Sequence, residues 1–483
     1  VERVAIEVPG LDEVLHGGLL PGRAYLVRGG PGTGKTTLGL HFLAAGVRRG
    51  ERSLYVTLGE PAQQIKTNAQ SIGLDPEGID WLELIPTAEF FAQAESYDLF
   101  TPAEVEREPM TRRIVETIER TRPQRVFVDS MTQFRYLAPD IFQYRRQVLS
   151  FLRFLTEQGA TVLFASESSA EAPDEDLQFL ADGVIELLAT EEQRSVIVTK
   201  FRGSDYRPGR HTVALTGSGM KVFPALVAEP RPAPAVVEQI SSGVPEVDEL
   251  LHGGLERGTV TIITGPSGVG KTTLGLAFAK EAAGRGEASA VYVFEEPATT
   301  LQQRCEAVNI PVGPMIKNGT LVIRSVEPLR YDPNEFAQLV REDVQRRNVR
   351  IVMIDSVAGY GLSVRGNNLA SHIHTLCRTL ANWGVTVLLV NETESVTGDF
   401  RPTERGISYL ADSIIFLRYL EIDGEMRKAI GVLKKRLGDF EKTLREFRIT
   451  RYGIKVGEPL TRLRGILSGT PTWEPSAANE KET

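Results

Sequence analysis

Short apolar, β-branched runs punctuate the first half of the chain: AYLVRG, SLYVTLG, RVFVDS, TVLFASE, GVIELLA and SVIVTKF. Such runs, apolar at nearly every position, predict strands buried on both faces. Between some of them the pattern changes to a helical period, in TTLGLHFLAAGVRRG and RRQVLSFLRFLTEQG. Strands alternating with helices predict an α/β fold whose sheet is mostly parallel, with right-handed crossovers. GVIELLA, SVIVTKF and HTVALTG follow one another closely, which predicts hairpins added to that sheet.

The same pattern is then written again. GLDEVLHGGLLPG at 10–22 returns as VPEVDELLHGGLERG at 244–258, and RGGPGTGKTTLGLHF returns as TGPSGVGKTTLGLAF. Lys35 and Lys271, His16 and His252, and Glu60 and Glu296 are each 236 positions apart. VFVDS at 126–130 matches VMIDS at 352–356 with a separation of 226, so the first copy carries about ten extra residues before that strand. Two long copies read as a duplicated domain and not as a solenoid. The segment 224–239, PALVAEPRPAPAVVEQ, holds four prolines and reads as an extended linker. The expected organisation is a first domain over 1–223, the linker, a second domain over 240–467 and a mobile tail over 468–483.

Composition narrows the class without changing the picture. The chain has 483 residues, 41% hydrophobic and 24% charged, as ordinary globular domains do. No apolar run approaches ~20 residues and no basic-then-apolar leader is visible, so the expectation is a cytoplasmic protein with no membrane span. Cys305 and Cys377 are too few for a disulfide framework or a zinc cluster and read as buried thiols. The net charge of −8 argues against a surface that coats nucleic acid.

The chemistry lies in four paired features. The first is GGPGTGKT at 29–36 and GPSGVGKT at 265–272, each after a predicted strand and before a predicted helix. Glycines let the backbone wrap a phosphate with successive N–H groups pointing inward, and the helix N-terminus adds its dipole. The candidate nucleotide-binding residues are Gly30, Pro31, Gly32, Thr33, Gly34, Lys35, Thr36 and Thr37. Their counterparts are Gly265, Pro266, Ser267, Gly268, Val269, Gly270, Lys271, Thr272 and Thr273. The lysines should reach the β and γ phosphates of ATP, and Thr36 and Thr272 should ligate magnesium. The second feature is Asp129 and Asp355, each closing an apolar strand, where a carboxylate holds that magnesium through water. The third is FEEP at 294–297, which puts Glu295 and Glu296 at a strand end as candidate base or magnesium ligand. The first copy reads LGEP, so Glu60 remains while Gly59 replaces the other acid, and the two sites should differ in chemistry. The fourth is Lys200 and Arg202, repeated as Lys434 and Arg436. Alternate positions on a strand share a face, so an edge strand could present each pair to a neighbouring subunit's phosphates.

Together with SYLADSIIFLRYLEIDGEMRKAIGVLKKR and REFRITRYGIKV, these motifs resemble the KaiC family, over nearly the whole chain. The family comprises the double-domain ATPases of the cyanobacterial circadian clock and their homologues. The resemblance implies two tandem RecA-like P-loop NTPase domains, ATP and magnesium as cofactors, and a homo-oligomeric, hexameric ring with ATP at subunit interfaces. It further implies a first domain that hydrolyses ATP and a second that is an autokinase and autophosphatase, in a clock or signalling timer. Interface sites fit a role in trans for Lys200, Arg202, Lys434 and Arg436.

The family's adjacent serine and threonine acceptors match Ser408 and Tyr409 here. LQFLADG at 177–183 aligns with ISYLADS, opposing Phe179 to Tyr409 and Gln178 to Ser408. We therefore expect Tyr409 to serve packing, as Phe179 does, and Ser408 to be the phospho-acceptor, with Thr403 secondary. The short acidic tail argues against a KaiA-like partner, whereas a KaiB-like partner on the first domain fits. Two rivals keep the nucleotide sites: a DNA-dependent ATPase like the recombinases and ring helicases, and a nucleotide-gated scaffold without kinase chemistry.

Overall fold

The structure, a computed structural model, describes residues 2–84, 102–136, 140–167, 176–191, 193–227, 238–365, 369–393, 408–422, 424–461, 463–464 and 472–473. The chain divides into two compact units, Val1–Ala225 and Leu226–Thr483. Most of the segment read as a linker, most of the tail, and Thr403 lie outside the described residues.

The first unit is built on one nine-stranded sheet. In chain order its strands are β1 (Ala24–Gly29), β2 (Ser53–Thr57), β3 (Ile79–Glu83), β4 (Arg125–Asp129), β5 (Thr161–Glu167), β6 (Gly183–Ala189), β7 (Arg194–Phe201), β8 (His211–Thr216) and β9 (Gly219–Phe223). The spatial order is β3-β2-β4-β5-β1-β6-β7-β8-β9. All pairs from β3 to β6 are parallel, and β7, β8 and β9 continue antiparallel. The predicted parallel sheet with terminal hairpins is thus the observed one. The two strands absent from the sequence reading, β3 and β9, are the edges, where Asp80, Glu83 and Lys221 face solvent and no continuous apolar run is required.

After a two-stranded ribbon, β10 (Gln239–Ile240) with β11 (Leu255–Glu256), the second unit repeats this plan. Its strands are β12 (Val260–Gly265), β13 (Ala288–Val293), β14 (Leu321–Ser325), β15 (Val349–Asp355), β16 (Thr386–Glu392), β17 (Ser413–Ile422), β18 (Glu425–Lys435), β19 (Arg445–Thr450) and β20 (Gly453–Pro459). Their order, β14-β13-β15-β16-β12-β17-β18-β19-β20, is that of the first sheet strand for strand.

Each sheet has a core on both faces. Tyr25 and Val27 of β1 pack with Leu38, Phe42 and Leu43 of the helix Lys35–Arg48. The alternate residues Ala24 and Leu26 pack with Tyr144, Val148 and Leu152 of the helix Ile141–Glu157 on the other face. Both are helices that the sequence predicts. The loop helix approaches the sheet so closely that a Cβ on Gly39 would lie 2.2 Å from the Phe127 ring. The equivalent Gly275 meets Met353 Sδ at 2.8 Å. Cys305 and Cys377 are buried free thiols, as expected. Among the described residues no helix is long and apolar enough to cross a membrane.

Candidate nucleotide sites

Parallel register brings the chemistry to one end of each sheet. Gly29 pairs with Glu167 and Thr57 with Asp129, so the ends of β1, β5, β2 and β4 meet where the phosphate loop begins. In the second unit Gly265 pairs with Glu392, and Val293 with Asp355. The carboxyl ends of parallel strands are where α/β sheets bind ligands.

Each loop turns into its helix through a left-handed glycine, Gly34 at φ 102° and Gly270 at φ 119°. A side chain at Gly270 would also strike Ile449, with Cβ 2.5 Å from its Cδ1. By contrast, nothing lies within 4 Å of a Cβ built on Gly30 or Gly32, so the inner curve of the first loop is open. Lys35 Nζ donates to the carbonyls of Gly29 and Gly30, both at 2.8 Å, and Lys271 Nζ to that of Pro266 at 2.8 Å. Burial lowers the pKa of both lysines. Asp129 and Glu167 partly offset this for Lys35, and Glu392, Asp355 and Glu295 for Lys271. A buried ammonium facing carboxylates at a glycine-rich loop before a helix N-terminus suits a polyphosphate with its cation.

The threonine and the aspartate read as magnesium residues meet in each unit. Thr36 Oγ1 donates to Asp129 Oδ2 at 2.7 Å, and Thr272 hydrogen-bonds Asp355. A hydroxyl and a carboxylate beside the loop are hard oxygen donors that fit magnesium. Beyond this the two sites diverge. In the second, Glu295 Oε1 accepts from Ser356 Oγ at 2.5 Å, and Arg304 donates to Glu296 Oε1 at 2.6 Å. Asp355 is pushed up to about 6, chiefly by burial and further by Glu295, against Thr272, Lys271 and Arg304. These groups line a cavity of about 540 Å³ that also reaches Glu392 and Lys428. In the first, Glu60 is exposed, its backbone tied to Thr57 Oγ1. There Tyr55 donates from its hydroxyl to Asp129 Oδ2 at 2.8 Å, and burial with the Asp129 charge pushes that phenol far above its usual pKa.

The fourth pair needs correction. β7 and β18 are interior strands, since each sheet continues through two more. Only Arg194–Val196 of β7 and Ala429–Ile430 of β18 pair outward, so the Lys200 and Lys434 ends run past their outer neighbours. The lysines are used within the chain: Lys200 Nζ donates to the carbonyls of Gln178 and Ala181 at 2.7 and 2.6 Å. Lys434 Nζ does the same to Ser408 and Ala411 at 3.2 and 2.7 Å, and Arg436 to the Tyr409 carbonyl at 3.2 Å. Arg202 and Arg436 follow the strands and donate backbone N–H groups to the carbonyls of Asp182 and Asp412 at 2.8 and 2.9 Å. Tyr409 packs beside His374, with ring centroids 5.6 Å apart, but not in the core. Phe179 is 70% exposed and Tyr409 54% exposed, so neither ring belongs to its own unit's core.

Sequence reading missed two further pairs near the loops. Glu167 and Glu392 close β5 and β16, a signal present in TVLFASE and TVLLVNE. Arg194 and Lys428, 234 positions apart like Lys200 and Lys434, donate to the equivalent loop carbonyls of Gly32 and Gly268 at 3.2 and 3.0 Å.

Two phosphate loops, each at the carboxyl end of a RecA-like sheet with its hydroxyl–carboxylate pair, define the class: a tandem-domain P-loop ATPase. A model of the family described as "ATPase: KaiC" matches residues 4–227 and again 240–461. The chain belongs to the KaiC family of ATPases. It is 27% identical to the circadian clock protein KaiC3 of Synechocystis, covering 100% of this chain and 97% of that protein. It is 28% identical to the circadian clock oscillator protein KaiC of Acaryochloris marina, over 98% of this chain and 92% of the relative. The KaiC of Rippkaea orientalis is 29% identical over the same shares.

Proposed function

We propose that this chain binds magnesium–ATP at both loops, hydrolyses it in the first unit, and in the second transfers phosphate to the Ser408 region of a neighbouring copy, as a clock or signalling timer. The observation that carries the reading is the paired lysine and hydroxyl–carboxylate set at matching register in both sheets. Magnesium, when bound, would screen the phosphate charge beside Thr36 and Asp129 or Thr272 and Asp355.

The chain's own groups divide the remaining work. Loop amides and Lys35 or Lys271 orient the triphosphate. Glu295, held by Ser356, stands at the end of β13 to take a proton from an attacking hydroxyl, and Gly59 offers no such group in the first site. This difference favours acceptor activation in the second unit. Lys434 and Arg436 hold the Ser408–Asp412 turn at the end of β12 away from the loop, so a neighbouring copy's loop would be the phosphate source. We further propose that copies assemble as a hexameric ring, with the exposed Phe179 and Tyr409 at the contacts between copies.

Incubation with labelled ATP and magnesium, followed by intact-mass and peptide mapping, tests the kinase reading. Label is expected on the peptide containing Ser408. Glu295→Gln should reduce its rate by about 10²–10⁴-fold, the usual contribution of a positioned base. Turnover of ATP with no phosphorylated species would leave a plain ATPase.

A further inference from the structure

The two repeats treat the same aspartate differently. In the first unit Asp129 Oδ2 accepts two hydroxyl protons, from Thr36 at 2.7 Å and from Tyr55 at 2.8 Å. Tyr55 lies on β2 and is fully buried. Its ring is fixed on two sides, with Trp81 stacked at 4.7 Å and Phe127 edge-on at 5.2 Å. At the matching position, 236 residues on, stands Val291, which has no hydroxyl. The second repeat's tyrosine is one position later, Tyr292. Because side chains alternate along a strand, it faces the other side of the sheet, where it donates to Asp343 at 2.9 Å. Among the described residues, a phenol donating to the strand-end aspartate is therefore found in the first site alone. The rigid aromatic stack also means that the hydroxyl is delivered at a set point and does not follow the carboxylate.

We propose that Tyr55 is a positioning residue of the first nucleotide site, locking the Asp129 carboxylate in the orientation that the magnesium of a bound nucleotide requires. This rests on reading the first loop as a magnesium–ATP site. With Oδ2 committed to two hydroxyls, Oδ1 is the oxygen through which Asp129 would act on the metal. Partners behind a metal-binding carboxylate fix its orientation, and removing one typically weakens metal affinity by about 10–100-fold. In the second site the charge of Glu295 acts on Asp355 and the matching strand position holds Val291, so the two sites should differ in how strongly nucleotide binding depends on the metal.

The test uses the full chain carrying Lys271→Ala, so that the first loop reports alone. Binding of a fluorescent, non-hydrolysable ATP analogue is measured in EDTA and across a MgCl2 titration, with and without Tyr55→Phe. The expected result is a rise of about 10–100-fold in the magnesium concentration needed for tight binding, with affinity in EDTA unchanged. Equal magnesium dependence in both proteins would overturn the proposal. So would equal weakening with and without magnesium, which marks a merely structural role. If the Lys271→Ala protein itself binds no analogue under any magnesium concentration, the reading of the first loop fails and this inference with it.

Discussion

His41 lies on the buried side of the loop helix, with its Nε2 accepting the Met220 N–H at 2.9 Å. Burial, assisted by the charge of Arg48, lowers its pKa from 6.5 to about 4. The folded imidazole thus takes up its proton at lower pH than the unfolded one. Between those values the unfolded chain binds more protons, so stability falls as pH drops from 6.5 toward 4. The full effect is about 3 kcal/mol. Urea unfolding of the first unit at pH 7.5 and pH 5 should show the loss, and His41→Gln, which keeps an acceptor for Met220, should flatten it. An undiminished pH slope in His41→Gln would assign the dependence to other groups. His41 is invisible as a special residue in the sequence, where it reads as one polar position in an apolar helix. Only the fold reveals that its ring caps a strand N–H.

Pairs of elements carry the next level of difference between the repeats. Glu256 at the end of β11 and Lys435 at the end of β18 form an ion pair at 3.0 Å with side chains only 2% and 1% exposed. Lys435 also donates to the Leu251 carbonyl. In the first repeat the same two positions hold Leu20 and Phe201, both buried. The fold therefore accommodates either an apolar contact or a buried charge pair there. Lys435→Met alone should cost about 3–5 kcal/mol, because Glu256 is left charged in a dry site. Glu256→Leu together with Lys435→Met should recover most of it, and chemical denaturation of the wild type, both single variants and the double variant completes the cycle. A double variant as unstable as Lys435→Met would show that the pair contributes more than charge neutralisation. Elements also explain what was hard to read. Central strands such as β1 and β12 are buried on both faces and announce themselves as apolar runs. The edges β3 and β9 are half-exposed, with Asp80, Glu83 and Lys221 facing out, so IDWLE and GMKVF lack that signal.

For the whole chain, duplication makes every feature a comparison between two sites. The exposed Phe179 and Tyr409, on turns clamped by Lys200 and Lys434, are apolar surface that each unit leaves uncovered. Native mass spectrometry should show hexamers with ATP and magnesium. Phe179→Ser combined with Tyr409→Ser should shift the population toward monomers, with each unit's unfolding little changed. Assembly that is indifferent to both rings would place the contacts elsewhere.

Chain order alone disclosed the duplication, the alternating sheet and the two phosphate loops, because these depend on local periodicity and on glycines at fixed spacing. It also marked Asp129, Asp355, Glu295 and Glu296, since each closes an apolar run. Which residues those groups meet depends on register between strands far apart in sequence. That register set Tyr55 against Asp129, and Arg194 and Lys428 against the loop carbonyls. It also turned Tyr409 outward and put Lys200 and Lys434 to work within their own units, because a side chain's partners are chosen by packing in space.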